Sequence, residues 1–158
     1  MGILRIIIGV FAIIIFTKIG ANKSQLYKEN YTFYNGLCVF CSNYLSELKF
    51  SKKELKTLIK KDYFSKELSL TLNDFFNEKN ANLIYLPPFL SQVEKDKIIS
   101  FLSMLGKGDS VSQQGVINGF LVDFTVLKND KYKEFIKYKS FYKKLGFYVG
   151  LIMLILVI

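Results

Sequence analysis

Apolar and polar positions divide this chain into three stretches. Ile3 to Phe16 (ILRIIIGVFAIIIF) is apolar except for Arg5, and Leu145 to Ile158 (LGFYVGLIMLILVI) carries no charge on its side chains. Every other charged side chain lies within Lys18–Lys144. Neither block has the polar face that a surface helix presents to water. The pattern therefore predicts a transmembrane helix over residues 1–20, a helical domain over 23–144 and a second transmembrane helix over 141–158.

Helix length sets what each block can do. The stretch Leu145–Ile158 makes a helix of about 21 Å at 1.5 Å per residue, and adding Phe141–Lys144 brings it to about 27 Å, close to the hydrocarbon thickness. Tyr142, Lys143 and Lys144 then sit where interfacial anchors belong. Block one needs Met1 to Ile19, with Arg5 reaching back toward the near interface. Its alternative is a cleaved signal peptide, but Ile19-Gly20-Ala21 is a poor small-residue cleavage site. The alternative for block two, a buried core helix, fits badly with all-round hydrophobicity at the end of the sequence. Lys18, Lys23 and Lys28 follow block one, and Lys137, Lys139, Lys143 and Lys144 precede block two. The positive-inside rule then predicts a cytoplasmic middle with both ends outside.

Helical periods run through the middle. Tyr27, Tyr31, Tyr34, Cys38, Cys41, Leu45 and Leu48 alternate spacings of four and three, and Phe33, Leu37, Phe40 and Tyr44 widen that seam into a core-facing stripe. Ser51-Lys-Lys-Glu54 has capping-box spacing before a short helix with Leu55, Leu58 and Ile59. Ser65 caps a further helix bearing Leu68, Leu72, Phe75 and Phe76. A polar break at Asn77–Asn82 and the pair Pro87-Pro88 mark the next boundary. Ser91-Gln-Val-Glu94 is a second capping box, before a helix with Ile98, Phe101, Leu102 and Leu105 that ends at Gly106. Asp109 or Ser110 caps a last long helix, with Gln113 completing a Ser-x-x-Gln box and Ile117, Leu121, Phe124 and Leu127 as its stripe. No stretch alternates with period two. The fold class expected is all-α: a small up-and-down bundle of about six helices, with antiparallel neighbours, flanked by the two membrane helices.

Composition narrows the chemistry. The net charge is +9, almost all from Lys, with a single Arg and with Glu and Asp interleaved. Nucleic-acid readout favours Arg forks, so a solvated surface close to anionic lipid explains the charge better. The chain has no His and no Trp, which removes imidazole catalysis and the common zinc ligand sets. Its two Cys are too few for a disulfide scaffold.

Three motifs invite a functional reading. Cys38-Val-Phe-Cys41 has redox spacing, but it sits mid-helix in the apolar seam rather than at a helix N-terminus after a strand. Gly106-Lys-Gly-Asp109 lacks the spacing of a phosphate loop and reads as a helix–helix turn. Gly146-Phe-Tyr-Val-Gly150 is a G-x-x-x-G in an apolar helix, a candidate for membrane helix packing. The carboxylates alternate with Lys as on a solvated face. No catalytic residues, metal ligands, cofactor or small-molecule substrate are expected.

The layout resembles the stage III sporulation protein AB family. The residues that carry the resemblance are Leu105-Gly-Lys-Gly-Asp109 with Gln113 or Gln114, and Tyr142-Lys-Lys-Leu-Gly-Phe-Tyr-Val-Gly-Leu151. The match in layout covers the whole chain. It implies a bundle similar to the F domain of type II secretion and type IV pilus platform proteins. It also implies a non-enzymatic membrane platform subunit of a secretion-like sporulation channel between mother cell and forespore. The implied location is the outer forespore membrane on the mother-cell side. The implied partners are a cytoplasmic secretion-type ATPase, similar to stage III sporulation protein AA, and other channel membrane proteins. Partner contacts are expected at Gly106, Gly108, Asp109 and Gln113. The alternatives are a platform protein of another secretion or pilus system, and a membrane-bound C-x-x-C thiol redox protein.

Overall fold

The computed structural model describes the backbone of residues 2–50, 64–77 and 84–157, and the side chains of these residues other than 2–9, 12, 23, 49, 50, 153, 156 and 157. Among the described residues there are helices and no strands: α1 (Gly2–Phe50), α2 (Lys66–Asn77), α3 (Gln92–Met104) and α4 (Ser110–Val157). The all-α class is as expected. The count of about six helices is corrected to four among the described residues. The reason lies in continuity. Neither α1 nor α4 contains Pro, so block one runs on into the first core helix, and the last core helix runs on through Asn129-Asp130 into block two. The Ser51–Glu54 box and the helix placed after it lie outside the described residues, as does most of the Asn77–Asn82 break.

Local signals set the short elements. Ser65 Oγ accepts from Leu68 N at 3.3 Å and opens α2. Ser91 caps α3 with a full capping box: its Oγ accepts from Glu94 N at 3.3 Å, and its own N donates to Glu94 Oε2 at 2.8 Å. Pro87-Pro88 turns the chain, with Leu90 N donating to Pro87 O at 3.2 Å. Tyr85 ties the preceding segment to α2: its N donates to Asp74 Oδ2 at 3.1 Å, and its hydroxyl donates to Glu67.

The chain forms two compact units, one of residues 30–129 and one of residues 1–29 with 130–158. Helices α1 and α4 contribute to both.

The unit of residues 30–129 holds the apolar core. Phe33, Tyr34, Leu37, Phe40, Cys41 and Tyr44 of α1 meet Leu68 and Leu72 of α2, Ile98, Phe101 and Leu102 of α3, and Ile117 and Phe124 of α4. Phe101 lies at its centre, edge-on to Phe124 at 5.1 Å, Phe120 at 5.2 Å and Phe40 at 6.2 Å. Such edge-to-face geometry adds to simple burial. Here α1 and α4 run antiparallel, since Tyr44 meets Gln113 while Cys38, earlier in the chain, meets Thr125, later in the chain.

The unit formed by the two chain ends is an antiparallel helix pair. Tyr27 stacks on Tyr138 with ring centroids 4.2 Å apart, and Gly20, Gly146 and Gly150 form a close seam. Toward the chain ends its outward faces are apolar, with Phe11, Ile14, Ile15, Ile152 and Ile155 all exposed. Among the described residues, no helix is long and apolar enough to cross a membrane. The transmembrane helices expected over 1–20 and 141–158 are therefore not found among those residues. Most of block one has its side chains outside them, and Lys143 and Lys144 limit the apolar run of α4 to its last turns.

Candidate functional site

The turn between α3 and α4 is built around one buried amide. Helix α3 ends at Met104, and the chain reverses through Leu105–Asp109 with Gly106 at φ 73° and Gly108 at φ 90°. Both values lie in the left-handed region, where a Cβ is strained. Gln113, only 3% exposed, reaches back under this turn from the first turns of α4. Its Oε1 accepts from Tyr44 OH at 3.1 Å and from Gly106 N at 3.1 Å. Its Nε2 donates to Met104 O at 2.9 Å and to Lys107 O. Two donors and two acceptor sites exhaust the side-chain amide. Gln113 is thus a strut between α1, the end of α3 and the turn, and not the second half of a box with Ser110. The Ser110 hydroxyl instead donates to Leu48 O at 3.4 Å.

Asp109 is the cap. Its Oδ1 accepts from Ser112 N at 2.7 Å, and hydrogen bonds from Ser112 hold the carboxyl below its usual range. Asp109 is exposed. Of the residues expected to meet a partner, Gly106, Gly108 and Asp109 form the outer surface of the turn, while Gln113 faces inward and holds it.

Gly146 and Gly150 lie in the unit of the chain ends, against α1. A Cβ on Gly146 would fall 2.4 Å from Phe16 O, and one on Gly150 would fall 2.5 Å from Ile13 Cα. The seam has a third member, Gly20, met in the sequence only within the poor cleavage site Ile19-Gly20-Ala21. A Cβ on Gly20 would fall 2.2 Å from Tyr142 O. Gly20-Ala-Asn-Lys-Ser24 is a small-x-x-x-small spacing, a signal in the sequence left unused in reading the chain ends.

Cys38 and Cys41 are both buried free thiols. Burial pushes both thiols up from their ordinary range, and Cys38 Sγ lies 3.8 Å from Thr125 Oγ1. A thiol kept protonated is a poor nucleophile. Among the described residues, no group of His, Cys, Asp and Glu could hold a metal ion.

A groove missed in the sequence runs beside α4, lined by Met104, Gly115, Val116, Gly119, Phe120 and Asp123, with a volume of about 400 Å³. A Cβ added at Gly115 or Gly119 would meet nothing within 4 Å. Asp123 at its rim pairs with Lys97 at 2.6 Å.

Comparison with protein-family models, curated proteins and solved structures found no match.

Proposed function

We propose that this chain is a non-enzymatic membrane platform subunit of a secretion-like sporulation channel, coupling a cytoplasmic ATPase to membrane components. The observation that carries the proposal is the pairing of the two ends of the chain. Helix segments from opposite ends of the sequence pack backbone to backbone through Gly20, Gly146 and Gly150 while turning apolar side chains outward. A helix pair with Phe11 at 64% and Ile155 at 65% exposure presents apolar surface that water does not favour. A bilayer would cover it, and small residues at the seam are how membrane helices approach closely.

The remainder of the reading follows from the resemblance in the Leu105–Asp109 turn and in Tyr142–Leu151. The core unit presents a turn made rigid by Gln113, with an exposed carboxylate at Asp109. A rigid projection that presents Lys107 and Asp109 side by side suits a charged docking contact on the ATPase. Position and motion of the ATPase would then pass along α1 and α4.

The experiment is co-purification of tagged full-length protein from sporulating cells in mild detergent. Recovery of a secretion-type ATPase with sporulation membrane proteins is the expected result. Recovery of pilus or thiol-oxidoreductase partners instead would overturn it.

A further inference from the structure

The unit of the chain ends contains a cleft of about 360 Å³, lined by Thr17, Ser140, Lys143, Lys144, Phe147 and Tyr148. Its volume lies at the lower end of the about 300–1,000 Å³ usual for small-molecule sites. The lining is divided along α4. Ser140, Lys143 and Lys144 supply donors, and Phe147 and Tyr148 follow them toward the apolar end of the helix.

Among the described residues, no carboxylate lines this cleft. Neither Lys143 nor Lys144 forms a salt bridge with a described residue, and the Ser140 hydroxyl has no hydrogen-bond partner among them. Thr17 is different: its hydroxyl already donates to Ile13 O at 2.7 Å, so it contributes a wall rather than a donor. The nearest acidic residue on α4, Glu134, lies nine positions before Lys143, or about 14 Å along the axis. The nearest on α1 is Glu29, about 18 Å beyond Thr17. Both distances exceed the Debye length of about 8 Å at physiological ionic strength, so the cleft keeps a positive local field.

We propose that this cleft binds the phosphate headgroup of an anionic phospholipid. Lys143, Lys144 and the Ser140 hydroxyl donate to the phosphate oxygens, and the rings of Phe147 and Tyr148 cover the glycerol and the start of the acyl chains. A ligand charged at one end and apolar at the other matches the division of the lining, which a free phosphate ion does not. Aromatic rings beside lysines are the usual furniture of the lipid–water interface. The proposal rests on the membrane reading of this unit and names the lipid that reading leaves open.

The test is native mass spectrometry of full-length protein in detergent, titrated separately with phosphatidylglycerol, phosphatidylcholine and inorganic phosphate. Retention of one phosphatidylglycerol in preference to phosphatidylcholine is expected, undisturbed by equimolar inorganic phosphate. The K143Q/K144Q double variant should bind roughly 30-fold more weakly. The charge-matched K137Q/K139Q variant, on the same helix but outside the cleft, should bind as the parent does. Equal binding of the two lipids, displacement by phosphate, or equal losses in the two double variants would overturn the proposal. Circular dichroism of each variant separates lost binding from lost folding. An alkaline carbonate wash of native membranes tests the membrane reading independently. Release of the chain there would sink that reading whatever the cleft binds.

Discussion

The Tyr44 hydroxyl donates to Gln113 Oε1 at 3.1 Å, joining α1 to the first turns of α4 across 69 positions of sequence. Burial raises the Tyr44 phenol, so it remains a donor throughout the physiological range. The same Gln113 oxygen accepts from Gly106 N, so one amide sets the shape of the turn and its distance from α1. Tyr44→Phe removes one neutral hydrogen bond and should cost about 1 kcal/mol. Gln113→Leu strands the Tyr44 hydroxyl and Gly106 N and removes a donor from the carbonyls of Met104 and Lys107, of which Met104 O keeps Lys107 N at 3.4 Å, and should cost about 2–3 kcal/mol. Denaturant unfolding followed by circular dichroism would rank the two. Equal losses would mean that Gln113 does not organise the turn.

Glycine-to-alanine changes should divide by position. At Gly108 the backbone, not space, is limiting: the nearest atom to a Cβ there is Ser112 Cβ at an ordinary 3.7 Å, yet φ is 90°. Gly108→Ala should cost about 1–2 kcal/mol. Gly115→Ala and Gly119→Ala, in open helical positions, should each stabilise by about 0.5–1 kcal/mol. Thermal melts of the three variants give the signs directly.

At the helix seam the same substitution meets backbone. Gly20→Ala, Gly146→Ala and Gly150→Ala must each force α1 and α4 apart within the unit of the chain ends. Overpacking of this kind costs about 1–3 kcal/mol. Thermal melts should show lowered midpoints in all three variants and no loss in Gly119→Ala, where a Cβ meets nothing within 4 Å.

The two thiols should be inert in the folded protein. Burial raises the thiols of both Cys38 and Cys41, so the protonated form is the folded form. The sign for stability follows. The raised values contribute stability that is complete below the unfolded thiol value of about 8.5 and is lost as pH rises above it. Alkylation at pH 8 should be slow until denaturant is added, and unfolding midpoints should fall above pH 9. Fast alkylation of native protein would favour the thiol redox reading.

Asp109 separates capping from docking. Hydrogen bonds from Ser112 depress its carboxyl, so its contribution to the helix start is present near neutral pH and is lost as pH falls through the depressed value. Asp109→Asn keeps a cap without the charge, while Asp109→Lys reverses the charge. Under the platform reading, ATPase capture should weaken in both variants, more so in Asp109→Lys, with the helical circular-dichroism signal of Asp109→Asn unchanged. Unaltered capture in Asp109→Lys would remove this turn as the contact.

Local rules made much of the fold legible. The capping signals at Ser65, Ser91 and Asp109 and the core stripe from Phe33 to Tyr44 all depend on neighbours within a turn or two, and each is where the periodicity put it. Helix number was less legible. Propensity marks where a helix can start but not whether two adjacent helices fuse, and Gly20 and Asn129-Asp130 proved compatible with continuous helices. The Leu105–Asp109 turn was also legible, since Gly106 and Gly108 permit positive φ and Asp109 offers a cap. Which way Gln113 points was not, because its partners Tyr44 and Met104 come from other helices. The same holds for what Gly20 packs against and for the Lys143–Lys144 cleft, where pairing of the chain's ends supplies the opposing wall. Sequence alone thus determined the helical class, the apolar ends and the local caps, which are short-range matters of period and hydrogen bonding. Tertiary structure alone decided the inward amide, the three-glycine seam and the cleft, because each needs atoms brought together from distant parts of the chain.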